Sequence, residues 1–231
     1  MNSGSDALET IRAVLEPHGI LVRGIVNFDI IEDRPLLDDG RAAQAVVLLG
    51  NVGGSLWQPF SRWREEQAER SLADPLDTWS KSTIRPLANG LGATAWFPSD
   101  PPWKPFQQWA VRAEGLGTSP LGILIHPRFG PWHGYRGALG FADKMPGGPS
   151  IVASQHPCDE CLDKPCLSSC PARAVTCAGF DVGRCRAHLV TEAGVSGCMW
   201  SGCLARHACP VGEAYRYPAE QLRFHMAALS L

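Results

Sequence analysis

The sequence predicts an α+β protein in two parts: an open sheet flanked by helices over residues 1–145, then a small cysteine-rich module over 146–231. Three observations carry this. All nine cysteines fall between Cys158 and Cys209. The cysteine-free part alternates helical apolar stripes with short apolar runs. Met145-Pro146-Gly147-Gly148-Pro149-Ser150, rich in turn formers, separates the two. A chain of 231 residues can hold one large core plus such a module.

Asp6 is placed to cap a first helix whose stripe is Ile11, Val14 and Leu15, ending near Pro17-His18-Gly19. Residues 20–26 read as a strand, and the charged stretch 32–41 as a loop or edge. Ala45-Val46-Val47-Leu48-Leu49 is apolar throughout and predicts a buried strand, closed by the glycine-rich turn at 50–54. Asp74-Pro75-Leu76-Asp77 starts a helix: Asp74 as cap, Pro75 at the first helical position and Asp77 as the reciprocal acid. Its stripe is Leu76, Trp79, Thr83, Ile84 and Leu87. A strand at 93–97, a helix at 105–114 burying Phe106, Trp109, Ala110 and Ala113, and strands at 121–125 and 135–141 complete the sheet.

A net charge of −2 with no basic run leaves no electrostatic footprint for nucleic acid. No apolar stretch reaches membrane-spanning length, and the first six residues lack the pattern of a signal peptide. A soluble cytoplasmic protein is therefore expected. In a reducing compartment, clustered thiols favour metal binding over disulfides.

The first cysteine group is Cys158, Cys161, Cys166 and Cys170-Pro171; the second is Cys185, Cys198, Cys203 and Cys209-Pro210. Two-cluster bacterial ferredoxins use C-x2-C-x2-C-x3-C-P, the fourth cysteine serving the other cluster. Here the middle gap of the first group is four residues and the second group is stretched. With the crossover retained, one [4Fe-4S] cluster takes Cys158, Cys161, Cys166 and Cys209, and the other takes Cys170, Cys185, Cys198 and Cys203. Cys177 is left over. Thiolates suit iron–sulfur centres; the competing occupant is zinc, which also accepts four cysteines.

Outside the cysteines the densest motif is Ile125-His126-Pro127-Arg128-Phe129-Gly130-Pro131-Trp132, followed by Tyr135-Arg136-Gly137. It sets an imidazole, guanidinium groups, aromatic walls and permissive glycines at a strand end, where α/β sheets place ligands. His126 reads equally as a hydrogen-bonded structural histidine, and Arg128 and Arg136 as partners of surface acids. Trp79 and Trp109 read as core, Trp132 as a pocket wall. The turn at 50–55 lacks both G-x-G-x-x-G and the P-loop lysine.

This motif, with Pro17-His18-Gly19, the strand Ala45–Leu49, Gln58-Pro59-Phe60 and Asp74-Pro75-Leu76-Asp77 in the same order, resembles the cobalamin-processing CblC (MMACHC) family over roughly residues 8–142. The resemblance implies a nitroreductase-like fold that binds cobalamin base-off and removes its upper axial ligand. Cofactor contacts carried over are Asp77, His126, Pro127, Arg128, Phe129, Gly130, Trp132, Arg136 and Gly137. The cysteine segment around Arg184-Cys185 is similar to the ferredoxin-like part of epoxyqueuosine reductases, which combine two clusters with a cobalamin domain. The chain lacks the helical repeats by which those enzymes grip transfer RNA, and no D-x-H-x-x-G segment offers a cobalt-ligating histidine.

Together these readings imply a cobalamin reductase that strips cyanide with electrons relayed by its own clusters from an unidentified donor, with a cobalamin-accepting enzyme as a further partner. The alternatives are a cobalamin-dependent reductase of an organic substrate with Asp100 as proton donor, a cobalamin carrier or ferredoxin-type electron-transfer protein, and a flavin in place of the corrin.

Overall fold

The computed structural model describes residues 4–29, 33–67, 73–148 and 155–229. The chain divides into two compact units: residues 1–115 with 134–153, and residues 116–133 with 154–231. This differs from one boundary at 145/146, because the segment carrying His126 to Trp132 packs with the cysteines. Its sequence explains why. Gly117–Thr118 pairs antiparallel with Leu124–Ile125 in a hairpin of its own, so the strand expected at 121–125 is not part of the main sheet. Leu121 is buried in a cluster with Val175 and Ala205, flanked by Cys166, Cys170 and Cys203. At the other junction, the Asn27 side chain donates to the carbonyls of Met145 and Gly147 (2.9 and 2.8 Å) and accepts from the Met145 amide, latching the start of the expected linker onto the first unit. Pro149 and Ser150 of that linker lie outside the described residues.

The first unit is built on four strands, β1 (Leu21–Asn27), β2 (Ala45–Val52), β3 (Thr94–Trp96) and β4 (His133–Phe141), in the order β1-β2-β4-β3. β1 runs antiparallel to β2, with Leu21 opposite Gly50 and Asn27 opposite Ala45; β3 runs antiparallel to β4, with Ala95 opposite Leu139. Ala45 to Asn51 are all buried, as the uninterrupted apolar run predicts.

Helices α1 (Gly4–Leu15), α2 (Trp57–Glu66), α3 (Pro75–Leu91) and α4 (Phe106–Glu114) complete the first unit. α1 buries Ala7, Leu8, Ile11 and Leu15 and leaves Val14 exposed, one position off the expected stripe. It begins at Gly4, so Asp6 lies inside the first turn rather than at the cap. α3 starts where expected, but Asp74 stands at a left-handed φ of 47° and makes no side-chain cap; its carbonyl receives the amides of Asp77 and Thr78 instead. α2 follows the Gly54 turn unannounced, because its only fully apolar anchors are Trp57 and Phe60.

A buried polar network ties β1, α4 and β4 together. Arg23 and Glu114 pair at 2.8 Å with side chains 3% and 7% exposed. Arg23 also donates to the Asn51 carbonyl (3.0 Å), and the Tyr135 hydroxyl donates to the second Glu114 oxygen (2.6 Å). Burial, reinforced by the Glu114 charge, raises the Tyr135 pKa, so the phenol stays protonated as the donor.

The second unit has little regular structure. A second hairpin pairs Val175–Thr176 with Gly179–Phe180. Two helices of some length follow, α5 (Val182–Leu189) and α6 (Ala219–Ala227). The rest is single turns at Pro157–Glu160, Pro165–Ser168, Glu192–Gly194 and Leu204–His207, with a wide π-type turn at Val195–Met199. Among the described residues no helix is long and apolar enough to cross a membrane.

Removing one partner of a buried, hydrogen-bonded ion pair strands the other charge, at a cost of about 3–5 kcal/mol. Glu114→Ala is therefore expected to lower unfolding stability by about that amount in urea denaturation, and Tyr135→Phe by about 1–2 kcal/mol. A loss below about 1 kcal/mol for Glu114→Ala would mean that the pair is solvated in solution.

Candidate functional site

Several cysteines of the second unit sit on or beside short helical segments whose starts are specified locally. The His156 Nδ1 accepts from the Cys158 amide (3.2 Å) and Pro157 opens that turn. Pro165 opens the turn that carries Cys166. Asp181 caps α5 by accepting from the Arg184 amide (2.9 Å), which puts Cys185 on the first turn. Cys198 sits within the π-type turn, and Cys203 precedes the Leu204–His207 turn. Wide turns of that kind recur at functional sites, and this one accommodates the long gap between Cys185 and Cys198.

The thiols sort into two sets. Cys158 feels Cys209, Cys166 and Cys161, and Cys209 in turn feels Cys166 and Cys161. Cys185 feels Cys203, Cys170 and Cys198, and both Cys198 and Cys203 feel Cys170. Cys177 is exposed in the turn of the second hairpin.

Two opposed effects act on the sulfurs. Burial is the largest cause raising the pKa of Cys158 (to about 11), Cys166, Cys185, Cys198, Cys203 and Cys209, and like charges within each quartet add to it. Backbone amides oppose it: Leu204 toward Cys198, Ala205 and Arg206 toward Cys203, Leu167 toward Cys166 and Val211 toward Cys209. The Ala174 amide also donates to Cys170 Sγ at 3.3 Å. Amide donors pre-aimed at sulfur stabilise thiolates, the form that binds metal.

The second quartet lines a small cavity of about 30 Å³. Its remaining walls are apolar, from Phe180, Leu189, Leu204 and Met226 among others, and it also takes in His188. The first quartet is more open: Cys161, with Glu160, Pro157, Pro210, Val211 and Pro127, borders a surface hollow. Among the described residues no three His, Cys, Asp or Glu side chains stand close enough to share a single metal ion.

The residues expected to contact a cofactor fall in both units. His126, Pro127, Arg128, Phe129, Gly130 and Trp132 belong to the second, Asp77, Arg136 and Gly137 to the first. His126 Nδ1 accepts from the amides of Arg128 and Phe129 (3.0 and 3.2 Å), and its ring stacks on Phe129 at 4.2 Å. It thereby holds the turn that the His126–Gly130 bridge closes. Arg128 donates to the Tyr215 hydroxyl (2.9 Å). Gly130, with φ of +57°, is glycine because the chain returns upon it: a Cβ there would lie 1.8 Å from the Val211 carbonyl oxygen. Gly212, with φ of +72°, meets Phe129 in the same way.

Trp132, expected as a pocket wall, is fully buried and packs with Tyr217 and Leu222. Sequence reasoning missed its chief partner. The Arg206 guanidinium lies between the Trp132 and Tyr217 rings, 4.5 and 4.7 Å from their centroids, and donates to the Pro131 carbonyl. A lone arginine after a cysteine carries no motif that would have pointed there. The motif thus packs against the segment that follows Cys209, with Pro127 at the edge of the surface hollow.

In the first unit Arg136 Nη1 stands 3.5 Å from Asp77 Oδ1 on a partly exposed surface. Gly137 meets Ile84 of α3, whose Cδ1 would lie 2.9 Å from an added Cβ. Asp100, the proton donor of the alternative reading, is ion-paired with both Lys81 and Arg85. A shallow polar hollow on α2 is lined by Trp57, Gln58, Ser61, Arg62 and Glu65, none of them an expected contact.

No family model and no curated protein sequence matches this chain. Among solved structures it is similar to the crystal structure of a C. elegans B12-trafficking protein CblC, a human MMACHC homologue. The TM-score is 0.57 at 11% identity, covering 96% of this chain and 91% of that one. The chain therefore has a CblC-like fold. The coverage takes in both units, so the cysteine-bearing region, expected as a separate ferredoxin-like module after the fold ends, lies within the matched length.

Because the thiolate is the nucleophile, a thiol with a pKa pushed up to about 11 reacts slowly below that pH. In metal-free protein the alkylation rate of Cys158, followed by peptide mass spectrometry, should still be climbing between pH 9 and pH 11. A plateau already reached at pH 9 would contradict the buried, mutually repelling quartet.

Proposed function

We propose that this chain is an iron–sulfur protein that binds cobalamin base-off and reductively removes its upper axial ligand, cyanide in the first instance. The observation that carries the reading is the coexistence of two interleaved, amide-supported thiol quartets with the fold of a B12-trafficking protein.

Cys158, Cys161, Cys166 and Cys209 would hold one [4Fe-4S] cluster, and Cys170, Cys185, Cys198 and Cys203 the other. Two features support clusters over zinc. The quartets interleave as in two-cluster ferredoxins. The second quartet encloses an apolar cavity rather than a point. When bound, such clusters supply one-electron storage and transfer over a range of about −700 to +450 mV.

The chain's own residues do the rest. Amides directed at Cys198, Cys203, Cys170, Cys166 and Cys209 hold negative charge on sulfur. Phe180, Leu189, Leu204 and Met226 give the second quartet apolar walls. Cobalamin is the substrate: cyanocobalamin takes one electron, the cobalt–carbon bond breaks, cyanide leaves with the bonding pair and Co(II) remains. Withdrawal of the lower axial base favours this step, because a donor that stabilises Co(III) is lost. The electron comes from an external one-electron carrier.

Anaerobic reconstitution with iron and sulfide should yield about eight of each per chain, as two cubane clusters require. Added to cyanocobalamin and dithionite, the protein should accelerate Co(II) formation and cyanide release over dithionite alone, and a Cys185→Ser, Cys198→Ser variant should lose most of that acceleration. Zinc in place of iron, or unchanged rates with intact clusters, would overturn the reading.

A further inference from the structure

The wall of the second thiol quartet contains one polar side chain that is not a cysteine. His188 lines the same cavity as Cys170, Cys185, Cys198 and Cys203. It lies one helical turn beyond Cys185 in α5, and residues three apart share a helix face. Its Nε2 is sealed from solvent and has no hydrogen-bond partner. A buried ring nitrogen left without a partner is unfavourable, so such an atom points to a missing acceptor or donor. The backbone around it is tightly set: the His188 carbonyl receives the Thr191 amide (2.9 Å) and the Thr191 hydroxyl (2.7 Å), and Gly194 packs so closely against that carbonyl that a Cβ would lie 2.0 Å from its oxygen. The ring is thus carried by a backbone clamped on both sides of the helix end.

Resting on the cluster reading above, we propose that His188 is a positioning residue for the second cluster. Its Nε2–H donates a hydrogen bond to a sulfur of the group held by Cys170, Cys185, Cys198 and Cys203, and so sets that cluster's potential above that of a cluster with backbone donors alone. The physical reason is charge: one-electron reduction adds a negative charge to the cluster, sulfur carries much of it, and an N–H donor directed at sulfur stabilises the reduced form more than the oxidised one. In the first quartet the neighbouring histidine, His156, already spends its Nδ1 on the Cys158 amide (3.2 Å).

The test is an anaerobic dithionite titration of the full chain, reconstituted with iron and sulfide and followed by electron paramagnetic resonance, in the parent, His188→Phe and His188→Gln. His188→Phe keeps a flat ring without a donor; His188→Gln restores an N–H of similar reach. The expected result is that His188→Phe lowers the reduced-to-oxidised ratio of one cluster about tenfold at fixed poise, equivalent to about 59 mV for a one-electron couple. The other cluster should be unmoved, and His188→Gln should recover most of the shift. Clusters that assemble in all three proteins with identical titrations would overturn this proposal and leave the cluster reading standing. Failure of the parent to take up iron would overturn both. If His188→Phe alone fails to assemble its cluster, the Gln variant decides: a titration matching the parent supports the donor role, and one displaced as far as the loss of a donor predicts rejects it.

Discussion

The second unit is organised by an exchange of two cysteines. Cys170 ends the first run in sequence yet joins Cys185, Cys198 and Cys203, while Cys209 ends the second run and returns to Cys158, Cys161 and Cys166. Neither quartet can form until both runs are in place, so the two halves of the array depend on each other. That dependence explains how a segment composed mostly of single turns can be specific. Its hydrophobic support is thin, limited to clusters such as Leu121 with Val175 and Ala205 or Trp132 with Tyr217 and Leu222. Burial and mutual repulsion of the thiols oppose the array, and the directed amides offset only part of this. A bound group that requires thiolates reverses the sign of the balance, which is why metal binding and folding are coupled in sites of this kind.

The first unit rests on different physics. Its sheet is held by a fully buried central strand and by one desolvated polar network, Arg23 with Glu114, Tyr135 and the Asn51 carbonyl. Each group in that network has a partner, so the charge is satisfied without water. Here apolar burial supplies the stability and the network fixes which faces of β1, α4 and β4 meet.

Much of the first unit was legible because its rules are local and periodic. The run Ala45–Leu49 could only be a buried strand, and Phe106, Trp109, Ala110 and Ala113 recur at helical spacing. α2 escaped because Trp57 and Phe60 are its only fully buried anchors in a charged segment. The strand expected at 121–125 shrank to Leu124–Ile125 because Gly122, at φ of +75°, turns the chain back into a hairpin. The grouping of thiols that act on one another follows the order of the cysteines in the two runs, which spacing alone displays. The orphaned His188 nitrogen and the Arg206 sandwich were not legible, because both arise from contacts between segments that carry no motif.

The dense His126–Trp132 motif has a structural role that its sequence pattern does not announce. Glycines, a histidine and aromatic residues at a strand end are the ingredients of a ligand cleft, but they are equally the ingredients of a tight crossing of two backbones. Gly130 faces Val211 and Gly212 faces Phe129, at separations that admit no Cβ on either side. His126 spends its Nδ1 on two amides of its own turn, and Trp132 is sealed beneath Arg206 and Tyr217. The partner in that crossing is the segment beginning at Cys209, whose thiol is acted on by Cys166 and Cys161. By clamping Val211 and Gly212 against Phe129 and Gly130, the motif fixes the backbone that follows Cys209, and that thiol inherits its position from a histidine turn eighty residues earlier in the chain.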